Sequence, residues 1–216
     1  MFSPEAAFLI TASEFHQTVK AEISVNNFLS SGFTIHNKKI ATNQVTGVVT
    51  TIPFFLKQEF YYIEPADRDY VCAEMNAFFI YFLSQLDCKK INPPSKRTLT
   101  GLSMHKIELL KTLQELKIPL WPVHLKNGNN ISSINISEFK RLKCTLIGNV
   151  IIPDEIPEKI TGYMRLVSQA FALPYLSAFF ISPAENDYFL VDIITIPNIN
   201  EDAHQAGIVN YFLNPV

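Results

Sequence analysis

Leu142-Lys143-Cys144-Thr145-Leu146-Ile147-Gly148-Asn149-Val150-Ile151-Ile152 is two apolar, β-rich runs hinged on Gly148-Asn149, the composition of a hairpin. Downstream, residues 155–172 carry a helical pattern, with Pro157 tolerated in the first turn. Residues 175–181 and 188–196 are two further strands joined at Ala184-Glu185-Asn186-Asp187, and residues 203–212 form a short closing helix. Hairpin, helix and hairpin in that order predict a mixed or antiparallel sheet carrying helices.

Upstream of the hairpin, a helix opens near Ser103, with Ile107, Leu110, Leu113 and Leu116 as its apolar stripe. Residues 118–123 contain two prolines, which suits an edge strand, and residues 127–130 form a turn. Ile91-Asn92-Pro93-Pro94 is an extended breaker and the expected boundary between two small lobes, residues 1–94 and 95–216. In the first lobe, strands are expected at 6–10, 33–35 and 44–52, with a polar turn at Asn37-Lys38-Lys39 and a weak helix over 15–29. A stronger helix runs from Pro65 and Asp67 to about Leu86, with Cys72, Met75, Phe79, Phe82 and Leu86 recurring every three or four residues. The fold class is therefore α/β in two lobes. The expected core includes Phe79, Phe82, Leu110, Leu113, Leu166, Phe179 and Leu190.

The 216 residues carry a net charge of −2, which argues against a dedicated nucleic-acid binder, because phosphate binding calls for a basic stripe. Only 18% of residues are charged against 48% hydrophobic, which excludes a disordered chain. That little polar surface, with 17 phenylalanines, predicts association as a homodimer or with a partner protein. Cys72, Cys88 and Cys144 are few, odd in number and widely spaced, so free thiols in a reducing cytoplasm are expected. Residues 166–184 are uncharged but interrupted by two prolines, and read as a helix end plus a strand, not a membrane span. No basic stretch marks a signal peptide at Met1-Phe2-Ser3-Pro4-Glu5.

The chemical inventory is thin. Seven glycines and no GxGxxG, Walker, GxSxG or HExxH motif leave no glycine-rich phosphate cradle or zinc helix to read. The five histidines show no ligand spacing. Glu64, Asp67, Asp69 and Glu74 read as a helix N-terminus with solvated acids ahead of a metal cluster. Lys106 opposes the dipole at a helix start, so an anion is one reason for it to be there. Asp192, inside Leu190-Val191-Asp192-Ile193-Ile194, is either the outward residue of a half-exposed strand or a placed carboxylate. Strict alternation would put Leu190, Asp192 and Ile194 on one face.

The order of these pieces resembles the ATP-grasp superfamily, in particular the RimK-like carboxylate–amine ligases and their peptide-modifying relatives. Ile91-Asn92-Pro93-Pro94 is similar to the family's "vNpP" link after the pre-ATP-grasp lobe. Met104-His105-Lys106, with Ile118-Pro119-Leu120-Trp121-Pro122, is similar to "nK…lGipvP". Residues 142–149 are similar to "lRvyvvGd", and Tyr188-Phe189-Leu190-Val191-Asp192-Ile193 to "yvflEiN". The resemblance implies nucleotide-binding roles for Lys106 and Lys143 and a metal-binding role for Asp192.

Departures from the family pattern are equally specific. Roughly twenty residues between Val123 and Leu142 stand where the family has a nucleotide-covering subdomain, and no strand–loop–strand is expected in them. The family's metal-ligand asparagine is Ile194 here, and its earlier acid falls in apolar Ala178-Phe179-Phe180-Ile181. The resemblance, so reduced, implies a catalytically degenerate ATP-grasp-like protein. It would be a binding or accessory subunit for a peptide or amino-acid ligase, with no cofactor. The alternative is an active ATP-dependent carboxylate–amine ligase completed by a second chain, in which case ATP and Mg enter. A third reading sets the resemblance aside for an unrelated small α/β binding protein.

Overall fold

The computed structural model describes residues 20–22, 24, 31–35, 37–121, 124–126, 130–132 and 139–214. The strand expected at residues 6–10 lies outside them. Among the described residues, eleven strands and four α-helices fall into an N-terminal and a C-terminal set.

In the N-terminal part, β1 (Lys20–Glu22), β2 (Gly32–Ile35) and β3 (Lys38–Ala41) form an antiparallel sheet. Asn37 turns the β2–β3 hairpin at φ 63, a conformation asparagine tolerates better than most side chains. The helix expected over 15–29 is corrected here, since residues 20–22 pair with β2 instead. Val19, Ile23 and Leu29 make only a weak helical stripe, which yields to the ladder bonds with β2, and Glu22 also pairs with Lys39 at 2.6 Å on the sheet surface. Of the strand expected at 44–52 only β4 (Gly47–Val49) forms, because Thr42–Gln44 curl into a single 3₁₀ turn first. β4 pairs in parallel with β5 (Lys89–Ile91).

Helix α1 (Arg68–Gln85) connects β4 to β5. Its Phe79 and Phe82 are buried among Phe33, Phe55 and Phe60 in edge-to-face and tilted pairs. Asn76 ties the preceding loop to the helix, accepting from the Phe55 N–H at 2.8 Å and donating to the Cys72 carbonyl at 2.9 Å.

The C-terminal part is built on an antiparallel sheet of four strands in the order β11-β10-β8-β9: β8 (Lys140–Ile147), β9 (Val150–Ile152), β10 (Tyr175–Ser182) and β11 (Phe189–Ile194). The β8–β9 hairpin turns at Gly148, φ 59, as the Gly-Asn pair predicts. Helices α2 (Lys106–Glu115) and α3 (Glu158–Phe171) pack on one face, over Cys144, Leu146, Leu176, Ala178, Phe180 and Leu190. The C-terminal helix α4 (Asp202–Leu213) lies on the opposite face and contacts β8 and β9. Among the described residues no helix is long and apolar enough to cross a membrane.

Four expectations change. Leu166 is 41% exposed, because the buried stripe of α3 is Ile160, Met164 and Val167 and Leu166 falls beside it. Ile107 is 68% exposed in the first turn of α2, before that helix reaches the core at Leu113. Leu110 and Phe179 are half-buried, while Phe79, Phe82, Leu113 and Leu190 are buried as expected. Residues between Val123 and Leu142 do contain a strand pair: β6 (His124–Lys126) runs antiparallel to β7 (Asn130–Ser132). Pro122, Val123 and residues 127–129 lie outside the described residues. Upstream of them, the segment expected as an edge strand makes a single parallel bridge at the sheet edge, Leu120 to Leu190, with the Trp121 N–H donating to the Leu190 carbonyl at 2.9 Å.

Candidate functional site

The face of the sheet turned away from α2 and α3 carries the polar side chains. Register fixes which residues share it. Lys143 on β8 stands opposite Phe179 on β10, which stands opposite Asp192 on β11; the next row is Thr145, Ser177, Ile194. A bulge in β11 breaks strict alternation, since Phe180 pairs with Leu190 and Phe179 with Asp192, leaving Val191 without a partner. The bulge sends Leu190 to the helix-covered core and keeps Asp192 and Ile194 on the open face, so the expectation that all three share a face is corrected. Asp192 is the outward residue, and its Oδ1 accepts from the neighbouring Ile193 N–H at 2.9 Å.

Lys143 is engaged. Its Nζ donates to Glu201 Oε1 at 2.8 Å, at the start of α4. The same oxygen accepts from Asn198 Nδ2 at 2.8 Å, and the other carboxylate oxygen lies 3.4 Å from His204 Nε2. The Lys143 hydrogen bond, foremost, holds the Glu201 carboxyl below the usual carboxylate range. His204 is 2% exposed, with its Nδ1 3.3 Å from the Asn198 carbonyl and its ring edge-on to Tyr175. The chain continues inward: the Asn198 N–H donates to Tyr175 Oη at 3.0 Å, Tyr175 Oη lies 3.2 Å from Ser177 Oγ, and Ser177 Oγ lies 2.6 Å from Thr145 Oγ1. Every side chain in this run therefore has a partner, as buried polar groups require.

Lys106 stands apart. It is exposed at the first position of α2, behind the cap formed when His105 Nδ1 accepts from the Ile107 N–H at 3.4 Å. That helix packs on the other face, and no contact among the described residues joins Lys106 to Lys143 or Asp192. The structure brings Lys143 and Asp192 into one row and leaves Lys106 outside it.

Magnesium takes near-octahedral oxygen ligands, usually carboxylates and phosphate oxygens. The Asp192 row offers one carboxylate, flanked by Phe179 and Ile194, and no three His, Cys, Asp or Glu side chains converge among the described residues. From its own side chains this row supplies one carboxylate, and the remaining oxygens of an octahedral ion would have to come from phosphate and water. Glu64, Asp67, Asp69 and Glu74 likewise form no cluster; Asp69 faces Lys57 at 3.2 Å, and Asp67 sits at the N-terminus of α1.

Asn198, Glu201 and His204 carried no weight in the sequence, because Asn198 and Glu201 precede α4 and only His204 lies within it, so no helical period links the three. Asn92 was read only as part of a breaker. It is 1% exposed, accepts from the Tyr175 N–H at 2.9 Å, and donates to the carbonyls of Tyr175 and Thr195.

Neither a protein-family model nor a curated protein matches this sequence. Solved structures do match. Macrocyclase MdnC from Microcystis aeruginosa MRC, bound with precursor peptide MdnA, superposes at a TM-score of 0.75 and 11% identity, over 96% of this chain and 90% of that one. An ATP-grasp ligase from Chryseobacterium gregarium in complex with ADP and a leader and core peptide superposes at 0.67 and 10% identity, over 94% and 86%. The ATP-grasp ligase PsnB complexed with precursor peptide PsnA2 and AMPPNP gives 0.64 and 8% identity, over 93% and 88%. The fold is ATP-grasp-like. At these identities the ATP-grasp likeness is one of backbone arrangement, and it agrees with the two-part α/β reading of the sequence.

Proposed function

We propose that this chain is a peptide-binding member of the ATP-grasp-like fold that has lost ligase chemistry and serves as a binding or accessory subunit in peptide modification. The observation that carries this reading is the Lys143–Phe179–Asp192 row. Phosphoryl transfer depends on metal ions and fixed cations around the transferred group. Here the lysine is already neutralised by Glu201, and the carboxylate stands alone between a phenylalanine and an isoleucine. Peptide binding is supported by the structural neighbours, three of which are described with precursor, leader or core peptides. Phe54, Leu56, Tyr61, Tyr62 and Tyr70, exposed on the N-terminal part, support association with a second copy or with a ligase partner.

The test is ATP consumption with magnesium across amino acids and short peptides, with Lys106→Ala and Asp192→Asn as controls. No turnover above either variant is expected. Turnover abolished by either substitution would overturn the reading and promote the active carboxylate–amine ligase, completed by a second chain.

A further inference from the structure

The loop that joins the two halves of the chain carries a basic depression outside the Lys143–Asp192 face. Ser95 and Thr98 close a tight turn, with the Ser95 N–H donating to the Thr98 carbonyl at 2.9 Å and Lys96 and Arg97 at its tip. The turn is anchored, not loose. Leu99 N–H and Thr98 Oγ1 both donate to the Pro53 carbonyl, at 2.7 and 2.9 Å, and Thr98, Leu99 and Thr100 are buried. Ser95, Lys96, Arg97 and Ser103, the last three exposed, line an open surface depression of about 270 Å³ beside it. No acidic side chain lines it, and neither Lys96 nor Arg97 makes an ion pair among the described residues. Ser95 Oγ accepts from the Arg97 N–H at 3.5 Å, which leaves its own proton to donate.

Two cations and two hydroxyls around one depression are a donor set for an oxyanion, and an arginine fork matches a carboxylate in two-point geometry. The lining holds no aromatic or apolar side chain on which a nucleobase could stack. The same loop continues into Gly101 and Leu102, and the Leu102 N–H donates to Thr195 Oγ1 at 3.3 Å, just past the end of β11.

We propose that Ser95, Lys96, Arg97 and Ser103 form a docking site for the carboxylate side chains of an acidic peptide segment. This rests on the peptide-binding reading above and names the chemistry of what is bound.

The probe is a fluorescent peptide containing six consecutive glutamates, against the same peptide with glutamines, read by anisotropy on the full chain. The glutamate peptide is expected to bind, to weaken with added salt, and to outbind the glutamine peptide about tenfold or more, as charge-assisted bonds imply. The double variant Lys96→Gln/Arg97→Gln, exposed turn positions that leave the Thr98 anchors in place, is expected to remove that preference. Lys111→Gln, an exposed cation on α2, is expected to retain it. Equal binding of both peptides, or a preference that survives the double variant, overturns the proposal. So does inorganic phosphate that binds the wild type and not the double variant while the glutamate peptide binds neither, since the site would then serve a free anion. If wild type ignores both peptides but captures members of a random-sequence peptide library, this site fails while the peptide-binding reading stands. Failure against the library as well removes both.

Discussion

The two faces of the four-stranded sheet are built from the same three long strands yet follow different physics. Under α2 and α3, Cys144, Leu146, Ala178, Phe180 and Leu190 meet Ile160, Met164 and Val167 in a dry, apolar layer. On the other face, Lys143, Thr145, Ser177 and Tyr175 meet Asn198, Glu201 and His204 in a linked run of hydrogen bonds. The first face gains stability from area removed from water. The second must satisfy every donor it encloses, so its residues are specified by partner and geometry, not by bulk.

The difference is open to test, and the largest effect belongs to the apolar face. Met164→Ala, expected to cost about 2–5 kcal/mol, and Phe180→Ala, about 3–5 kcal/mol, both sit at no more than 2% exposure and are read by denaturant unfolding. Leu166→Ala on the same helix should stay within about 0.5 kcal/mol. Comparable costs at Leu166 and Met164 would break the assignment of the α3 stripe.

Asn92→Ala probes the seam beside the polar face. It strips partners from the Tyr175 N–H and two carbonyls, and it places a less tolerant residue at φ 52. A loss of roughly 2–4 kcal/mol is expected, and a loss under about 1 kcal/mol would show that water replaces the amide. Ser177→Ala, deeper in the polar run, should cost about 1–2 kcal/mol because Thr145 and Tyr175 each lose a buried partner.

Thiol reactivity tests how closed the apolar face is, with the two cysteines of the N-terminal part as the reference. Burial pushes the Cys144 thiol up to about 12, against the core face, so alkylation at pH 8 of the folded protein should spare it. Cys72 and Cys88, half-buried and also raised chiefly by burial, should label first. Early labelling of Cys144 would mean that the layer under α3 opens readily.

The smallest effect is the acid limb at Glu201. Its carboxyl is held low in the folded state, so its contribution is complete above the unfolded glutamate value near 4.3 and disappears as pH falls through the lower folded value. Glu201→Gln should flatten that part of the stability curve only slightly, because both members of the Lys143–Glu201 pair are more than two-fifths exposed.

Much of the frame was legible before any coordinates. Gly148-Asn149 marked its hairpin, the recurrence of Phe79 and Phe82 marked α1, and Leu113 and Leu190 were placed in the core correctly. Such features depend on residues two to four apart, whose spacing is itself the structural period. Reading failed where that spacing was weak or interrupted: at residues 20–22, where pairing with β2 overrode a faint helical pattern, and in α3, where Leu166 missed the stripe by one residue.

By itself, then, the sequence determined the α/β frame, its turns and its apolar load, whereas strand register put Lys143 and Asp192 in one row. Only the tertiary structure decided that the β11 bulge turns Leu190 away from Asp192, that Glu201 occupies Lys143, and that His204, Asn198 and Tyr175 extend that contact into the interior. The reason is distance along the chain. Lys143 and Glu201 are 58 residues apart, and Asn92 and Tyr175 are 83 apart. Such partners meet only after strand order and register are fixed, and a one-residue shift in register exchanges the two faces of a strand.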